Sequence, residues 1–207
     1  VLFRSNNSME EKRIVIFASG NGRNAENIMR HFNGSPVVNV VSVLTNNPDA
    51  GVIQKTKQYD VPVKIFSRKD FYDTDDVLNF LKELNPSLII LAGFLWLVPE
   101  KIIRAFPKKI INIHPALLPK FGGKGMFGNN VHKEVISSRE KESGITIHYV
   151  NEKYDSGDII FQKKCSVDSN EPPESLAKKI HTLENKYFPL VVESLLKKEH
   201  VELLHRL

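Results

Sequence analysis

The sequence predicts an α/β fold with a mostly parallel sheet, helices on both of its faces, and antiparallel strands toward the C-terminal end. From Arg13 onward, short runs rich in β-branched residues alternate with amphipathic segments, which is typical of parallel strands connected by helices. Two later strand-like runs are separated by a polar turn that contains Gly157, which favours an antiparallel pair. Internal repeats and low-complexity tracts are absent from the sequence, so a single α/β unit is expected.

Seven apolar runs are predicted to be strands. In chain order they cover residues 13–18, 37–45, 61–66, 87–93, 109–115, 144–150 and 158–165. The run at 87–93 is apolar almost throughout, as expected for a strand buried on both faces. Pro115 ends the run at 109–115, because proline cannot donate to a strand ladder.

Five segments between and after these strands are predicted to be helices. They cover residues 24–32, 51–59, 70–84, 99–106 and 172–198. Asp70 is expected to cap the third helix, and Pro99 to occupy the first helical position of the fourth. Pro189 favours a bend in the last helix.

Length and composition indicate one globular domain. The chain has 207 residues, of which 41% are hydrophobic and 26% are charged. The first eight residues precede Met9 and are expected to be a non-native or disordered segment, which leaves residues 9–207 as the domain. A net charge of +5 suits a small anionic substrate as well as a nucleic acid. Basic blocks with interleaved aromatic residues are absent, so no nucleic-acid partner is predicted.

Cysteine content and hydropathy point to a cytoplasmic protein. Cys165 is the single cysteine, which excludes an internal disulfide and a cysteine-based metal site. The histidines are scattered without a close ligand pattern, so no metal is predicted. Apolar runs of the roughly 20 residues needed to cross a membrane are absent, and no membrane partner is expected. The sequence leaves the oligomeric state open.

The segment 19–27, SGNGRNAEN, joins a predicted strand to a predicted helix. Gly20 and Gly22 allow close approach of a ligand, and the backbone N–H groups and the helix dipole can hold a phosphate. With Ala25, these glycines also match a dinucleotide-binding fingerprint. The second strand, however, lacks the acidic residue that binds the ribose of NAD at its end, since Asp49 lies beyond a proline. A phosphate monoester is therefore favoured over NAD, and a tight turn without a ligand is the alternative.

The segment 110–123, IINIHPALLPKFGG, contains the densest chemical signal. Alternation along the strand places Asn112 and His114 on one face, roughly 6 to 7 Å apart. The C-terminal strand ends of open α/β sheets form the ligand crevice, so both side chains could converge on one atom.

An acidic turn follows the strand predicted at 144–150. It carries Glu152, Asp155 and Asp158, each of which could approach the crevice. Acidic residues in turns are commonly solvated or act as caps, and spacing does not choose among these three.

Together these motifs resemble the folate-dependent phosphoribosylglycinamide formyltransferases of purine biosynthesis. The resemblance runs from about Arg13 to Leu196, and its motifs are SGNGRN (19–24), LAGF (91–94), NIHPALLPK (112–120) and YDSGDIIFQ (154–162). It implies a Rossmann-like formyltransferase fold. It also implies transfer of the formyl group of 10-formyltetrahydrofolate to the amine of 5'-phosphoribosylglycinamide, giving formylglycinamide ribonucleotide and tetrahydrofolate. The implied partners are these small molecules.

The resemblance further implies roles for individual residues. The catalytic residues are Asn112, His114 and Asp155. The phosphate-binding residues are Gly22, Arg23 and Asn24, and the glycinamide-binding residues are Glu184 and His181. The folate-binding residues are Leu95, Trp96, Leu97, Val98, Asn112, Val150, Asn151 and Tyr154.

The chain departs from the family pattern at three of these positions. Arg23 occupies a position that is often serine, so its charge is expected either near the phosphate or in solvent. Trp96 replaces a frequently basic or polar residue, and His181 stands where glutamine is common. The glycine-rich segment 121–132 is of its own kind, and it is predicted to form a mobile flap over the site or an ordinary surface connection.

The implied mechanism is direct transfer. The amine attacks the formyl carbon on N10 of the folate, and the tetrahedral intermediate carries a negatively charged oxygen. Asn112 and a protonated His114 would donate hydrogen bonds to this oxygen. Asp155 would favour the charged form of His114 and assist proton transfer from the amine to N10.

Three alternative functions remain. Hydrolysis of formyl-folate would use the same residues with water as the acceptor, but the hydrolases usually carry an additional N-terminal domain, and here little sequence precedes Arg13. Formylation of methionyl-tRNA is disfavoured because it uses a separate C-terminal domain. A non-catalytic nucleotide- or NAD-binding module would make Asn112 and His114 structural.

Overall fold

A computed structural model describes residues 9–207, and the prediction for the first eight residues lies outside them. The described chain forms seven strands. They are β1 (Lys12–Phe17), β2 (Val38–Thr45), β3 (Val63–Ile65), β4 (Leu88–Leu91), β5 (Ile110–His114), β6 (Glu142–Tyr149) and β7 (Ile159–Ser166). All seven predicted strands are thereby confirmed, with ends that shift by at most two residues because apolar runs do not mark strand ends sharply.

The strands form a single sheet in the order β3-β2-β1-β4-β5-β6-β7. Strands β1 to β5 are parallel, whereas β6 pairs antiparallel with both β5 and β7. The predicted mostly parallel sheet with antiparallel strands near the C-terminal end is confirmed. In the β5–β6 pair, Asn112 lies directly opposite His148, which brings two polar side chains together.

Helices cover both faces of the sheet, as predicted. Within residues 9–207 they are α1 (Arg23–Phe32), α2 (Val52–Lys57), α3 (Arg68–Tyr72), α4 (Asp76–Leu84), α5 (Glu100–Ala105), α6 (Asn129–Ser137) and α7 (Pro173–Lys197), followed by a 3-10 turn, Val201–Arg206. One apolar core packs α1, α2, α6 and α7 against the sheet, and a second core packs α3, α4 and α5 against its other face. None of the helices in this part of the chain is long and apolar enough to cross a bilayer.

The prediction of one helix over residues 70–84 is wrong, because this segment contains the end of α3 and all of α4. Ser67 caps α3, and Asp70 completes a reciprocal capping box instead of capping the helix itself. At the break, the ammonium group of Lys101 hydrogen-bonds to the carbonyl of Thr74. This tertiary contact satisfies a carbonyl group that a continuous helix would have paired internally.

Two further features differ from the sequence prediction. Pro99 is the N-cap of α5 and not its first helical residue, because its backbone is extended (φ −66°, ψ 147°), and its carbonyl accepts from the N–H groups of Ile102 and Ile103. Residues 129–132, the end of the predicted flap or surface connection, instead begin α6, a helix that buries Val131 and Val135 one turn apart. Helix α7 continues through Pro189.

Candidate active site

A cavity of about 560 Å³ opens at the C-terminal ends of the parallel strands. This is the position at which open α/β sheets bind their ligands. The cavity is lined by residues 20–24, 91–98, 112–115, 123–129, 132, 148, 150–151, 153–155, 181 and 184. Every site residue predicted from the sequence lies in this lining, so the fold brings together segments that are far apart in the chain.

Asn112, His114 and Asp155 meet at one end of β5. Asn112 Nδ2 donates to Asp155 Oδ1 at 3.4 Å, and His114 Nδ1 lies 3.5 Å from the same oxygen. The side chains of Asn112 and His114 share one face of the strand, and their common neighbour is the Asp155 carboxylate. Of the three acids in the turn, Asp155 is therefore the one that reaches the crevice.

A backbone turn aims Asp155 into the cavity. Its φ of 51° places it in the left-handed region, which aspartate adopts more readily than most residues. The backbone N–H of Gly123 donates to Asp155 Oδ2 at 3.0 Å. Burial raises the pKa of this carboxyl, but the neighbouring imidazoles of His148 and His114 and the Gly123 N–H outweigh burial. The pKa of Asp155 lies below its ordinary value, so the group is an anion at neutral pH.

His148 is a fourth member of this cluster. Its Nδ1 lies 2.9 Å from the Tyr149 carbonyl, to which a protonated Nδ1 donates. In this neutral form Nε2 is an acceptor, and it lies 3.1 Å from Asn112 Nδ2. Nε2 also lies 3.7 Å from Asp155 Oδ1, with which a doubly protonated ring forms an ion pair. His148 is not among the site residues predicted from the sequence, and the signal that finds it is the antiparallel register, which sets it opposite Asn112.

His114 is almost fully enclosed by its neighbours. Its Nε2 lies 2.7 Å from the carbonyl oxygen of Phe121, and its Nδ1 faces Asp155. Burial lowers the pKa of His114 below its ordinary value, although the Asp155 carboxylate and the Phe121 carbonyl oppose this effect. The ring is therefore mainly neutral at pH 7. If it gains a proton, each of its two N–H groups faces an acceptor, namely the Phe121 carbonyl and the Asp155 carboxylate.

The glycine turn at the start of α1 requires Gly22. This residue is the N-cap of α1 with a φ of 74°, and a Cβ added there would lie 2.3 Å from Val52 Cγ2. A Cβ on Gly20 would meet nothing within 4 Å. The turn directs the N-terminus of α1 into the cavity, where free N–H groups and the helix dipole favour an anion.

Arg23 contacts Glu184 in α7. Its Nη2 donates to Glu184 Oε2 at 2.7 Å. The guanidinium group is therefore paired with a buried carboxyl group and does not simply project into solvent, which was one of the two positions expected for it. Burial raises the pKa of Glu184, although Arg23 and Asn24 oppose this effect. Arg23 Nη1 and Asn24 Oδ1 are buried without a hydrogen-bond partner among residues 9–207. These two atoms lie at a polar end of the cavity, where the surrounding side chains leave part of the hydrogen-bonding capacity of Arg23 and Asn24 unused.

Two histidines share this polar end. His132 is buried in α6, and burial together with the charges of His181, Arg23 and His114 lowers its pKa to about 4. Burial and the Arg23 charge also lower the pKa of His181. His132 was not among the predicted site residues, because its position depends on a helix that the sequence interpretation did not include.

The opposite end of the cavity is mainly apolar. The Tyr154 hydroxyl donates to the Leu95 carbonyl at 3.3 Å and so links the two segments predicted to bind folate. Trp96 lies in an aromatic cluster, with its ring centroid 6.1 Å from those of Phe66 and Phe71. It therefore contributes apolar surface where the family often has a basic or polar residue.

The glycine-rich segment divides into two parts. Residues 123–128 line the cavity, as predicted for a flap, and Phe127 is half exposed there. Residues 129–132 belong to α6, so the predicted flap is too long at its C-terminal end. Mobility of the first part stays a prediction.

The chain is similar to known proteins over most of its length. A family model described as formyl transferase matches residues 12–192. A phosphoribosylglycinamide formyltransferase of Bacillus subtilis is 34% identical over 190 residues, covering 89% of this chain and 95% of that protein. The chloroplastic phosphoribosylglycinamide formyltransferase of Arabidopsis thaliana is 39% identical over 194 residues, covering 91% of this chain. The chain spans 66% of the length of that plant protein.

A solved structure shows the same fold. The phosphoribosylglycinamide formyltransferase from Anaplasma phagocytophilum superposes with a TM-score of 0.82 at 32% identity. The superposition covers 91% of this chain and 89% of that one. The match therefore extends over most of both chains.

Proposed function

The chain belongs to the formyl transferase family, and we propose that it transfers the formyl group of 10-formyltetrahydrofolate to the amine of 5'-phosphoribosylglycinamide. The products are formylglycinamide ribonucleotide and tetrahydrofolate, which places the reaction in purine biosynthesis. The observation that carries this proposal is the meeting of Asn112, His114 and Asp155 between a phosphate-type turn and an apolar pocket.

The two ends of the cavity suit the two substrates. The turn formed by Gly22, Arg23 and Asn24 would bind the acceptor phosphate, and Glu184 and His181 would hold the glycinamide part. The apolar end would bind the carrier. Its residues are Leu95, Trp96, Leu97, Val98, Asn112, Val150, Asn151 and Tyr154. In this proposal the reacting amine and the formyl carbon meet beside the end of β5.

In the transfer step the amine attacks the formyl carbon, and the carbonyl oxygen becomes negatively charged. The Asn112 amide would donate to this oxygen in place of its long 3.4 Å hydrogen bond to Asp155, while its second N–H stays on His148 Nε2. His114 Nε2 faces Phe121 in the structure, so a direct bond from Nε2 to the oxygen requires the Phe121 carbonyl to move. The negative charge of the intermediate would raise the pKa of His114 and favour its charged form.

Asp155 is suited to move the proton. Its carboxylate is ionised at neutral pH and lies against Asn112 and His114. It would accept a proton from the attacking amine, directly or through water, and the departing N10 of the folate would gain one. The bond between the formyl carbon and N10 then breaks, and the new amide bond remains.

One incubation tests this function. The protein is mixed with 10-formyltetrahydrofolate, with and without phosphoribosylglycinamide, and the loss of formyl-folate is followed. Loss that requires the amine is the expected result. Loss without the amine would indicate a hydrolase, and NAD binding without either reaction would indicate a nucleotide-binding module.

A further inference from the structure

The polar end of the cavity contains an electrostatic conflict. Glu184 is 3% exposed and lies beside the turn proposed to bind a phosphate. A carboxylate in this position would repel a phosphate dianion, and the repulsion is stronger in the buried site because the effective dielectric constant there is lower than in water. Some nearby positive charge must therefore offset Glu184 if the site is to hold an anion.

Arg23 is placed to supply that charge. Its Nη2 donates to Glu184 Oε2 at 2.7 Å, and its Nη1 is buried without a partner among the described residues. A guanidinium group has donors for two oxygen-bearing groups at once, whereas lysine presents a single ammonium group. A ligand oxygen would complete the hydrogen bonding of Arg23.

A purely structural role for the pair is less suited to these contacts. Helices α1 and α7 are already joined by Asn27, whose Nδ2 donates to the Glu184 and Asn185 carbonyls at 3.4 and 3.2 Å. The Arg23 side chain is 32% exposed and lines the cavity. Its charge also lowers the pKa of His181 on the same wall, so the guanidinium acts on the cavity interior.

We propose that Arg23 determines specificity for the acceptor by cancelling the charge of Glu184 and donating its second nitrogen to the acceptor phosphate. The site then recognises a phosphorylated amine and discriminates against its uncharged counterpart. This inference rests on the proposed function in one respect, namely that the acceptor carries a phosphate. The arginine takes this role where the family often has serine.

The test is binding of ribose 5-phosphate and of inorganic phosphate, measured by titration calorimetry at about pH 8, which favours the ionised form of Glu184 although burial raises its pKa. Arg23→Ser is expected to weaken both affinities at least tenfold, and Arg23→Lys to weaken them less. Arg23→Ser combined with Glu184→Gln is expected to recover part of the loss, because the uncancelled charge is gone. Arg30→Ser removes an exposed charge from the same helix, and it is expected to bind both probes as the parent does.

Three results would overturn the inference. They are the absence of phosphate binding by the parent, equal affinity of the parent and Arg23→Ser, and a double variant no better than Arg23→Ser. Thermal unfolding of each variant identifies loss of fold, and a lower Tm with unchanged affinity would assign Arg23 a structural role only. Binding needs no formyl transfer, so a protein that fails to transfer formyl but binds phosphate through Arg23 would refute the proposed function alone.

Discussion

The Asp155 carboxylate organises the residues around it. Its Oδ1 is shared by Asn112 and His114, while its Oδ2 accepts from the Gly123 backbone. Both oxygens are thus fixed by different segments, which holds the group in one orientation. A catalytic group gains from such fixed geometry, since less reorganisation is needed when charge develops.

Asn112 offers the most direct test of this centre. Asn112→Ala removes the amide proposed to donate to the intermediate, and we expect the turnover number to fall about a hundredfold or more. This decrease corresponds to a loss of roughly 3 kcal/mol of transition-state stabilisation. Steady-state kinetics with both substrates measures this effect. Asn79→Ala, an exposed change in α4, is the matched control and should keep the parent rate. An Asn112→Ala variant that folds and retains the parent rate would refute the role.

His148 acts on the reaction through Asn112. His148→Leu removes the acceptor that lies 3.1 Å from Asn112 Nδ2, so the amide loses one of the two contacts that orient it. We expect kcat to fall by about tenfold while KM for each substrate changes little, as for an interaction used mainly in the transition state. A rise in KM without a change in kcat would instead place His148 in substrate binding.

At the scale of the element, the glycine turn and α1 act together. The turn exposes the N-terminus of α1 only because Gly22 adopts a left-handed conformation against α2. An adjoining ion pair, Lys55 with Glu26, links the same two helices at 3.6 Å. The conformation of the turn therefore depends on packing between α1 and α2 as well as on glycine.

The two glycines of the turn should respond differently to alanine. Gly22→Ala introduces backbone strain and a clash with Val52, so we expect a loss of about 1 to 3 kcal/mol in the free energy of unfolding. Gly20→Ala has open space and should change stability by less than about 0.5 kcal/mol. Urea unfolding of both variants compares them, and equal losses would contradict the importance of the Gly22 conformation.

At the scale of the whole molecule, buried histidines couple folding to pH. His132 has a pKa of about 4 in the folded protein and an ordinary value of 6.5. The unfolded chain therefore binds the proton more tightly, so the folded state loses stability as pH falls from about 7 through 4. The lowered pKa values of His114 and His181 act in the same direction.

His132→Gln should remove part of this pH dependence. For the pKa values above, His132 accounts for about 2 kcal/mol of the stability lost between about pH 7 and 5. Urea unfolding at both pH values is expected to show a drop smaller by about this amount in the variant than in the parent. Identical drops would mean that His132 titrates normally in the folded protein.

Local sequence was enough for most of the fold. The alternation of apolar strands and amphipathic segments predicted all seven strands, because burial on both faces of a parallel sheet demands continuous apolar runs. It failed where a tertiary contact decided the outcome, as in the break between α3 and α4, where Lys101 satisfies the Thr74 carbonyl. It also failed at α6, whose apolar positions are few and follow a glycine-rich loop.

The sequence by itself determined the strands, the glycine turn and the position of Asn112 and His114 on one strand face, since these depend on local propensity and on a period of two. Only the tertiary structure decided that Asp155 is the acid at the crevice, that His148 holds Asn112, and that Arg23 faces Glu184. These contacts join residues from 36 to 161 positions apart. Strand order and antiparallel register set such distances, and neither is encoded in any short segment of the chain.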